Sequence, residues 1–329
     1  MVNPVPAEWA PHRAMWVGFP SHADLWESNL APAQAEVAAL AKALAGLGGE
    51  HVKLLVADRG ARAAAQTLLE GFPNIDMVEA AFGDVWLRDT GPIFLGPGQA
   101  AGFRFNGWGG KYVLEGDERV ADVVADGAVL SRHDFILEGG ALDHDGKGTV
   151  LTTRACLLNP NRNRAWRQDD AEQALTEALG ARKVLWLDQG LMNDHTDGHV
   201  DNLARFVAPG IVACPAAYGE DDPNATVYDA AAQALAGFTD ADGLAMEVVR
   251  IPSPGRILSD EHRVTPASHM NFVIANEAVI VPIYNARAGA WAAEALEVLF
   301  PRHKVVGLPS RALVTGGGSF HCITQQEPA

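Results

Sequence analysis

Cysteine is scarce in this chain: 329 residues contain three, and none forms a C-x-x-C pair. That excludes a disulfide framework and predicts the reduced thiols of a cytoplasmic protein. Basic residues are also few, with 25 Lys and Arg against 41 Asp and Glu and a net charge of -16. Gripping a phosphate backbone needs clustered Lys and Arg, so the sequence predicts no nucleic-acid partner. The balance mildly favours cationic small molecules. No apolar run reaches the ~18 to 20 residues of a membrane span. The start, "MVNPVPAEWAPHRAMW", has neither a basic head before an apolar run nor a small-residue cleavage site, which predicts no signal peptide and no membrane partner. No low-complexity linker or compositional break divides the chain, so one domain is expected over residues 1–329.

What is present is material for a large core. Apolar residues make up 48% of the chain and charged residues 20%, as in folded soluble proteins. "APAQAEVAALAKALAGLG" (31–48) has helical periodicity with Pro32 near its start and glycine at its end. "HVKLLVAD" (51–58) follows as a strand. Further helices are expected at 60–71, about 165–180, 224–237 and 287–300. Strands are expected near 92–95, 101–105, 148–153, 183–187, 204–214, 246–251, 271–275, 278–283, 304–306 and 311–314. Interleaved strands and helices indicate an α/β architecture. Short turns such as "ANEA" (275–278) imply hairpins, which a purely parallel sheet does not contain. A strand, strand, helix rhythm recurs about five times, so a pseudo-repeated closed assembly stands beside the doubly wound alternative.

Four stretches concentrate unusual polar residues. "DVWLRDTGPIF" carries Trp86 and Asp89, "FILEGGALDHDGKGT" carries Glu138, "DHTDGHVDNLARF" carries His199 and Asp201, and "GGGSFHC" brings up Cys322. Each alone has an ordinary reading: a turn or capping carboxylate, a satisfied histidine, a small buried thiol. Cys156 and Cys214 sit inside apolar runs and read as inert core. His199 and Asp201, two residues apart at the mouth of a strand, are expected to point to one face.

Together the four stretches suit a nucleophilic site better than a metal site, because H-V-D plus a distant thiol is a poor zinc ligand set. A thiol nucleophile needs a base, and the base needs an orienting group; Cys322, His199 and Glu138 can fill those roles. Asp89 and Asp201 are then left over. Carboxylates around a thiolate raise its pKa unless a cation lies between them. A guanidinium fits, since its N–H forks match carboxylates bidentately.

These stretches in this order resemble the agmatine deiminase family of the guanidino-group modifying superfamily. So do "PAEWAPHRAMWVGFP" (6–20), "FRFNGWGGKY" (103–112) and "TTRACLLNPNRN" (152–163). The resemblance implies a pentein fold, a five-bladed α/β propeller of ββαβ-like units, and hydrolysis of agmatine to N-carbamoylputrescine and ammonia without metal or other cofactor. It implies Cys322 as nucleophile, His199 as general acid and base, Asp89 and Asp201 as guanidinium clamps, Glu138 as the carboxylate holding His199 and touching the guanidino group, and Trp86 as a wall of the slot. It also implies a possible homodimer.

The family usually carries a carboxylate four residues before the catalytic histidine, to read the ammonium of the substrate tail. Here that position is His195, between Asp194 and Asp197. A neutral histidine there can accept from an amine, or it marks a different tail. The chain is also shorter than the family's usual length, which implies trimmed loops and a more open entrance. A deiminase of arginine, peptidyl arginine or another guanidinoalkyl amine is therefore the alternative. A cysteine peptidase would not need the two aspartates, and a non-catalytic guanidinium-binding protein would not need both thiol and histidine. The glycines before Cys322 are expected to let the backbone approach the centre of the fold, with "CITQQEPA" ordered behind it.

Overall fold

Four times along the chain an antiparallel hairpin is followed by a helix and then a strand parallel to the hairpin's second strand. The structure is a computed structural model and describes residues 2–329. The strands are, in chain order, β1 (His12–Gly18), β2 (Val52–Val56), β3 (Ile75–Glu79), β4 (Ile93–Gly96), β5 (Gln99–Arg104), β6 (Val129–Ile136), β7 (Leu142–His144) and β8 (Thr149–Thr153). They continue as β9 (Lys183–Leu187), β10 (Arg205–Ala208), β11 (Ile211–Ala216), β12 (Glu247–Pro252), β13 (Val273–Ile274), β14 (Ala278–Ile283), β15 (Lys304–Pro309) and β16 (Thr324–Pro328). Among the described residues they form five sheets, β4-β5-β6, β7-β8-β9, β10-β11-β12, β13-β14-β15 and β16-β1-β2-β3.

In the first four sheets the first pair is antiparallel and the second parallel. A parallel pair needs a crossover, and helices Gln168–Leu179, Ala225–Ala236 and Ala286–Leu299 supply it in three of these units, a short helix Val120–Ala125 in the other. The fifth sheet is completed by the two ends of the chain: β16 pairs antiparallel with β1, and β1 runs parallel to β2 after helix Leu30–Gly46. This is the pseudo-fivefold α/β arrangement that the pentein resemblance implies, and the doubly wound alternative is set aside.

The core lies where helices cover the sheets. Helix Ala286–Leu299 buries Ala288, Ala292 and Leu296, an i, i+4, i+8 stripe, and the last two pack with Val279, Val281 and Phe300. Truncating Leu296 to Ala would cost about 2–5 kcal/mol. No helix among the described residues is long and apolar enough to cross a membrane.

Some expected elements differ. The strand expected at 204–214 is a hairpin, β10 and β11, because Pro209 lacks a donor and Gly210 adopts φ 74 between them. The strand expected at 311–314 is absent; a 3₁₀ turn covers Leu313–Gly316 instead. His199 and Asp201 do not stand at a strand mouth in alternation: a 3₁₀ turn over Val200–Asn202 carries them. Strands β1, β3, β6, β7 and β16 had no sequence counterpart.

Candidate active site

Each unit presents a loop just ahead of its first strand, and the expected residues occupy these loops. Asp89 lies in the turn Leu87–Thr90 before β4, Glu138 precedes β7, His199 and Asp201 precede β10, and Cys322 precedes β16. The loops meet over Gly140. A Cβ built there would stand 2.6 Å from His199 Nδ1, 2.8 Å from Asp89 Oδ1 and 3.1 Å from Asp201 Oδ2. Only glycine leaves room there, so the imidazole and both carboxylates converge on one backbone position.

Asp89 is held from two sides: Oδ1 accepts from the Gly140 N–H at 2.9 Å and Oδ2 from the Trp108 indole at 2.9 Å. Burial first, and then the neighbouring Asp201, push its carboxyl well above the usual range. Asp201 behaves oppositely. Burial would raise it, but the hydrogen bond and charge of His321, 2.8 Å away, win and leave it below the usual range. A site with one carboxyl raised and its partner depressed is poised for a cation, which would favour the charged form of both.

Cys322 is 4% exposed, and its Sγ lies 3.6 Å from Asp201 Oδ2. Burial, Asp201 and Asp89 raise the thiol well above its ordinary value. The glycine run is there for closeness. A Cβ on Gly318 would fall 2.6 Å from the Trp86 ring and 3.1 Å from Cys322 Sγ. The Arg88 N–H donates to the Cys322 carbonyl at 3.0 Å, tying the Trp86 turn to the thiol loop. After Cys322 the chain is ordered as β16, with Thr324 through Glu327 buried.

Glu138 corrects an expectation. It does not hydrogen-bond His199: both its oxygens are taken by Arg162 Nε, at 3.0 and 3.2 Å, and neither His199 ring nitrogen has a hydrogen-bond partner among the described residues. His199 Nδ1 stands 3.7 Å from Asp89 Oδ1. Burial drives its pKa down to about 3, so the ring is neutral at pH 7. Arg162 also pairs with Asp197 and donates to the Thr196 carbonyl at 2.8 Å, so it fixes the loop that carries His199. The stretch "NPNRN" supplies this arginine, to which the sequence alone assigns no role.

Cys156 is buried and its thiol is raised well above the ordinary value by burial, in keeping with an inert role. Its sulfur, one Glu138 oxygen and one His199 nitrogen lie within 4.8 Å of one another, and this trio could hold a metal ion. With Glu138 engaged by Arg162, the trio in this structure acts as the packing behind His199.

Trp86 lines the cavity. Its indole donates to Asp84 Oδ2 at 2.8 Å, and Trp26 stacks on it at 6.2 Å while donating to Asp84 Oδ1 at 2.9 Å. The slot opens into a cavity of about 550 Å³ that reaches His195, Tyr112, Glu27 and Arg263. His195 is exposed at the cavity, its ring 5.6 Å from Tyr112, and partial desolvation, Lys111 and Arg263 lower its pKa. Asp197 is taken by Lys111 and Arg162, whereas Thr196 engages only Oδ1 of Asp194 and leaves its buried Oδ2 without a partner among the described residues.

One residue in the site escaped the sequence reading. Asn271 sits ahead of β13, where the fourth loop contributes, and its Nδ2 is 3.1 Å from Cys322 Sγ. "SHMNF" reads as the start of a strand, and a lone amide carries no pattern of its own.

Comparison with known proteins agrees with this geometry. The family model described as Porphyromonas-type peptidyl-arginine deiminase matches residues 4–328. An agmatine deiminase of Stutzerimonas stutzeri is 38% identical over 354 residues, covering 99% of this chain and 95% of that protein. The structure of the Enterococcus faecalis agmatine deiminase superposes with a TM-score of 0.92 at 33% identity, over 99% of this chain and 96% of the other. A C. jejuni agmatine deiminase solved with substrate bound gives 0.89 at 28% identity, over 100% and 97%. The likeness extends from the first motif to the last strand, and the chain belongs to the Porphyromonas-type peptidyl-arginine deiminase family, with agmatine deiminases among its full-length relatives.

Proposed function

We propose that the protein hydrolyses the guanidino group of agmatine, giving N-carbamoylputrescine and ammonia through a covalent amidino-cysteine intermediate. The observation that carries this is the pair Asp89 and Asp201 converging on Gly140, with the Cys322 sulfur 3.6 Å from Asp201 and both Asp89 and Cys322 lining the cavity. Two carboxylates are mutually unfavourable in so buried a place unless a planar cation lies between them. The nearby thiol supplies an attacking atom.

The reaction follows from these positions. The guanidinium neutralises both aspartates, which removes their contribution to the raised thiol pKa and favours the thiolate. The proton leaving Cys322 passes to neutral His199. Sulfur bonds to the guanidino carbon, and the charge that the aspartates fixed collapses into a tetrahedral centre. His199 returns the proton to the departing nitrogen, which leaves as ammonia. His199 then takes a proton from water, the resulting hydroxide attacks the adduct, and breaking the C–S bond, with the hydroxyl proton passing to the released ammonia, frees the ureido product and leaves the thiolate beside protonated His199. Arg162 pins Glu138 and the Thr196 carbonyl, so the imidazole is positioned through its loop and packing.

The substrate tail runs along the glycine strip toward His195. A Cβ on Gly318 would touch Cys322 Sγ, and one on Gly317 would lie 3.2 Å from His195 Nδ1. In this reading residues 1–329 form one catalytic domain of a cytoplasmic, homodimeric enzyme that takes a small cationic substrate. The test is a panel of agmatine, arginine, blocked arginine peptides and shorter guanidino amines, scored for ammonia and ureido product. Agmatine is expected to turn over best. Preference for arginine or its peptides would replace the substrate, and no ammonia from any of them would remove the deiminase reading.

A further inference from the structure

We propose that Asn271 is a catalytic residue, the donor that holds the Cys322 sulfur and stabilises it as the thiolate. The proposal rests on Cys322 being the nucleophile. Asn271 is 0% exposed. Its Oδ1 accepts from the His321 N–H at 2.9 Å and the Cys322 N–H at 3.3 Å. Backbone N–H groups can only donate, so this end of the amide must be oxygen and the orientation is fixed. The nitrogen therefore faces the other way, with Asn202 Oδ1 at 3.0 Å, Cys322 Sγ at 3.1 Å and Asp201 Oδ2 at 3.4 Å. One hydrogen serves Asn202. The second points between the sulfur and the clamp carboxylate.

That placement answers a need the substrate cannot meet. The charged and titratable groups around Cys322 are Asp201 and Asp89 from two loops, Tyr284 from the end of β14, and His321 beside it in the chain. A guanidinium cancels the two aspartates, but the sulfur stays buried, and burial is the largest influence holding the proton on. A thiolate out of water needs fixed donors, and beside the Ser319 backbone N–H the Asn271 side-chain N–H, 3.1 Å away, is the second. The same amide also sets the loop, since its oxygen binds the backbone of the nucleophile itself. Each of the other units already contributes a residue from the loop before its first strand; Asn271 is the contribution of the remaining one.

The test uses Asn271→Ala and Asn271→Ser, the second retaining a polar group too short to reach the sulfur. Folding is followed by thermal melting and near-ultraviolet circular dichroism. Carbamidomethylation of Cys322 by iodoacetamide, read by mass on its own peptide between about pH 6 and pH 9, reports thiolate population without any substrate. Loss of the donor is expected to slow that reaction about fivefold to tenfold, as a rise of near one pKa unit requires. It should also lower kcat for the best guanidino substrate by about tenfold to a hundredfold, with KM changed less than about threefold. A purely structural role would leave alkylation unchanged, or speed it by opening access. A folded variant with unchanged or faster alkylation, or with kcat within about threefold of the parent, overturns the proposal. So does failure of both variants to fold, which would assign Asn271 to the fold. Failure of the parent reading has a different signature: Cys322→Ser would keep its turnover.

Discussion

His321 Nδ1 donates to Asp201 Oδ2 at 2.8 Å, so the residue beside the nucleophile in sequence holds the carboxylate opposite it in space. Its other nitrogen lies 2.9 Å from Glu8 Oε2, within hydrogen-bond reach. Glu8 in turn pairs with Arg205 and accepts from the Ile274 N–H at 2.7 Å, and Arg205 reaches Asp143 at 2.6 Å. Burial would raise Glu8, yet Arg205 and His321 hold it well below the usual range. Replacing His321 with Ala should leave Asp201 without the donor that keeps it ionised. A rise in KM of about tenfold or more, with kcat falling alongside, is expected in steady-state kinetics. Unchanged constants in a folded variant would separate His321 from the clamp.

Glu8 belongs to the "PAEW" motif at the start of the chain, far from the thiol in sequence. Glu8→Ala would leave Arg205, which is 1% exposed, with Asp143 as its remaining carboxylate and would remove the acceptor of the Ile274 N–H. Breaking a buried pair on one side costs about 3–5 kcal/mol, so chemical denaturation should show a loss of that size. A loss below about 1 kcal/mol would mean that the pair is dispensable.

Gly140→Ala tests the slot directly. Its Cβ would intrude on His199 and Asp89 at 2.6 and 2.8 Å. Turnover should fall by about a hundredfold or more, because the clamps and imidazole would be displaced from the attack geometry. Substantial activity would show that the guanidinium binds elsewhere.

The neutral His199 leaves a mark on stability. Its folded pKa is about 3, against about 6.5 for the unfolded chain. Between those values the unfolded state binds the proton and the folded state does not, so stability rises with pH across this window and is lost as pH falls through it. The slope from this group approaches about 1.4 kcal/mol per pH unit in mid-window. Comparing the parent with His199→Gln isolates it from the carboxyl groups: between about pH 6 and pH 4 the parent should lose more stability than the variant. Parallel curves would mean that the histidine is charged in the folded protein.

Strand β16 closes the ring by pairing with β1, with Thr324 opposite Val17 and Gln326 opposite Met15. Removing residues 324–329 would uncover that edge and release the anchor behind Cys322. The truncated chain is expected to lose turnover and to melt well below the parent; a chain that keeps both would show that closure is not needed.

The legible part of this protein was its charged chemistry. Cys322, His199, Asp89, Asp201, Glu138 and Trp86 occur in short stretches whose residue types are costly to bury without a purpose, and the loops before the strands bring them to one place. Glu138 was legible as a participant but not in its partner, since Arg162 lies 24 residues on and no local spacing links them. Asn271 was hidden because an amide beside apolar residues resembles ordinary core. Helices with full amphipathic periods were found within a few residues of their bounds. Strands β1 and β16 were missed because their partner lies at the opposite end of the chain, where periodicity gives no signal. The hairpin of β10 and β11 read as one strand because both arms are apolar and only Pro209 and Gly210 part them.

The most direct measurement is the mass of the Cys322 peptide from protein quenched in acid during turnover of agmatine. The expected species is Cys322 carrying agmatine less one ammonia, formed and lost at rates consistent with turnover, and absent from Cys322→Ser, which should release no ammonia. Ammonia release with no such adduct on Cys322, or sustained turnover by Cys322→Ser, would contradict nucleophilic attack by this thiol.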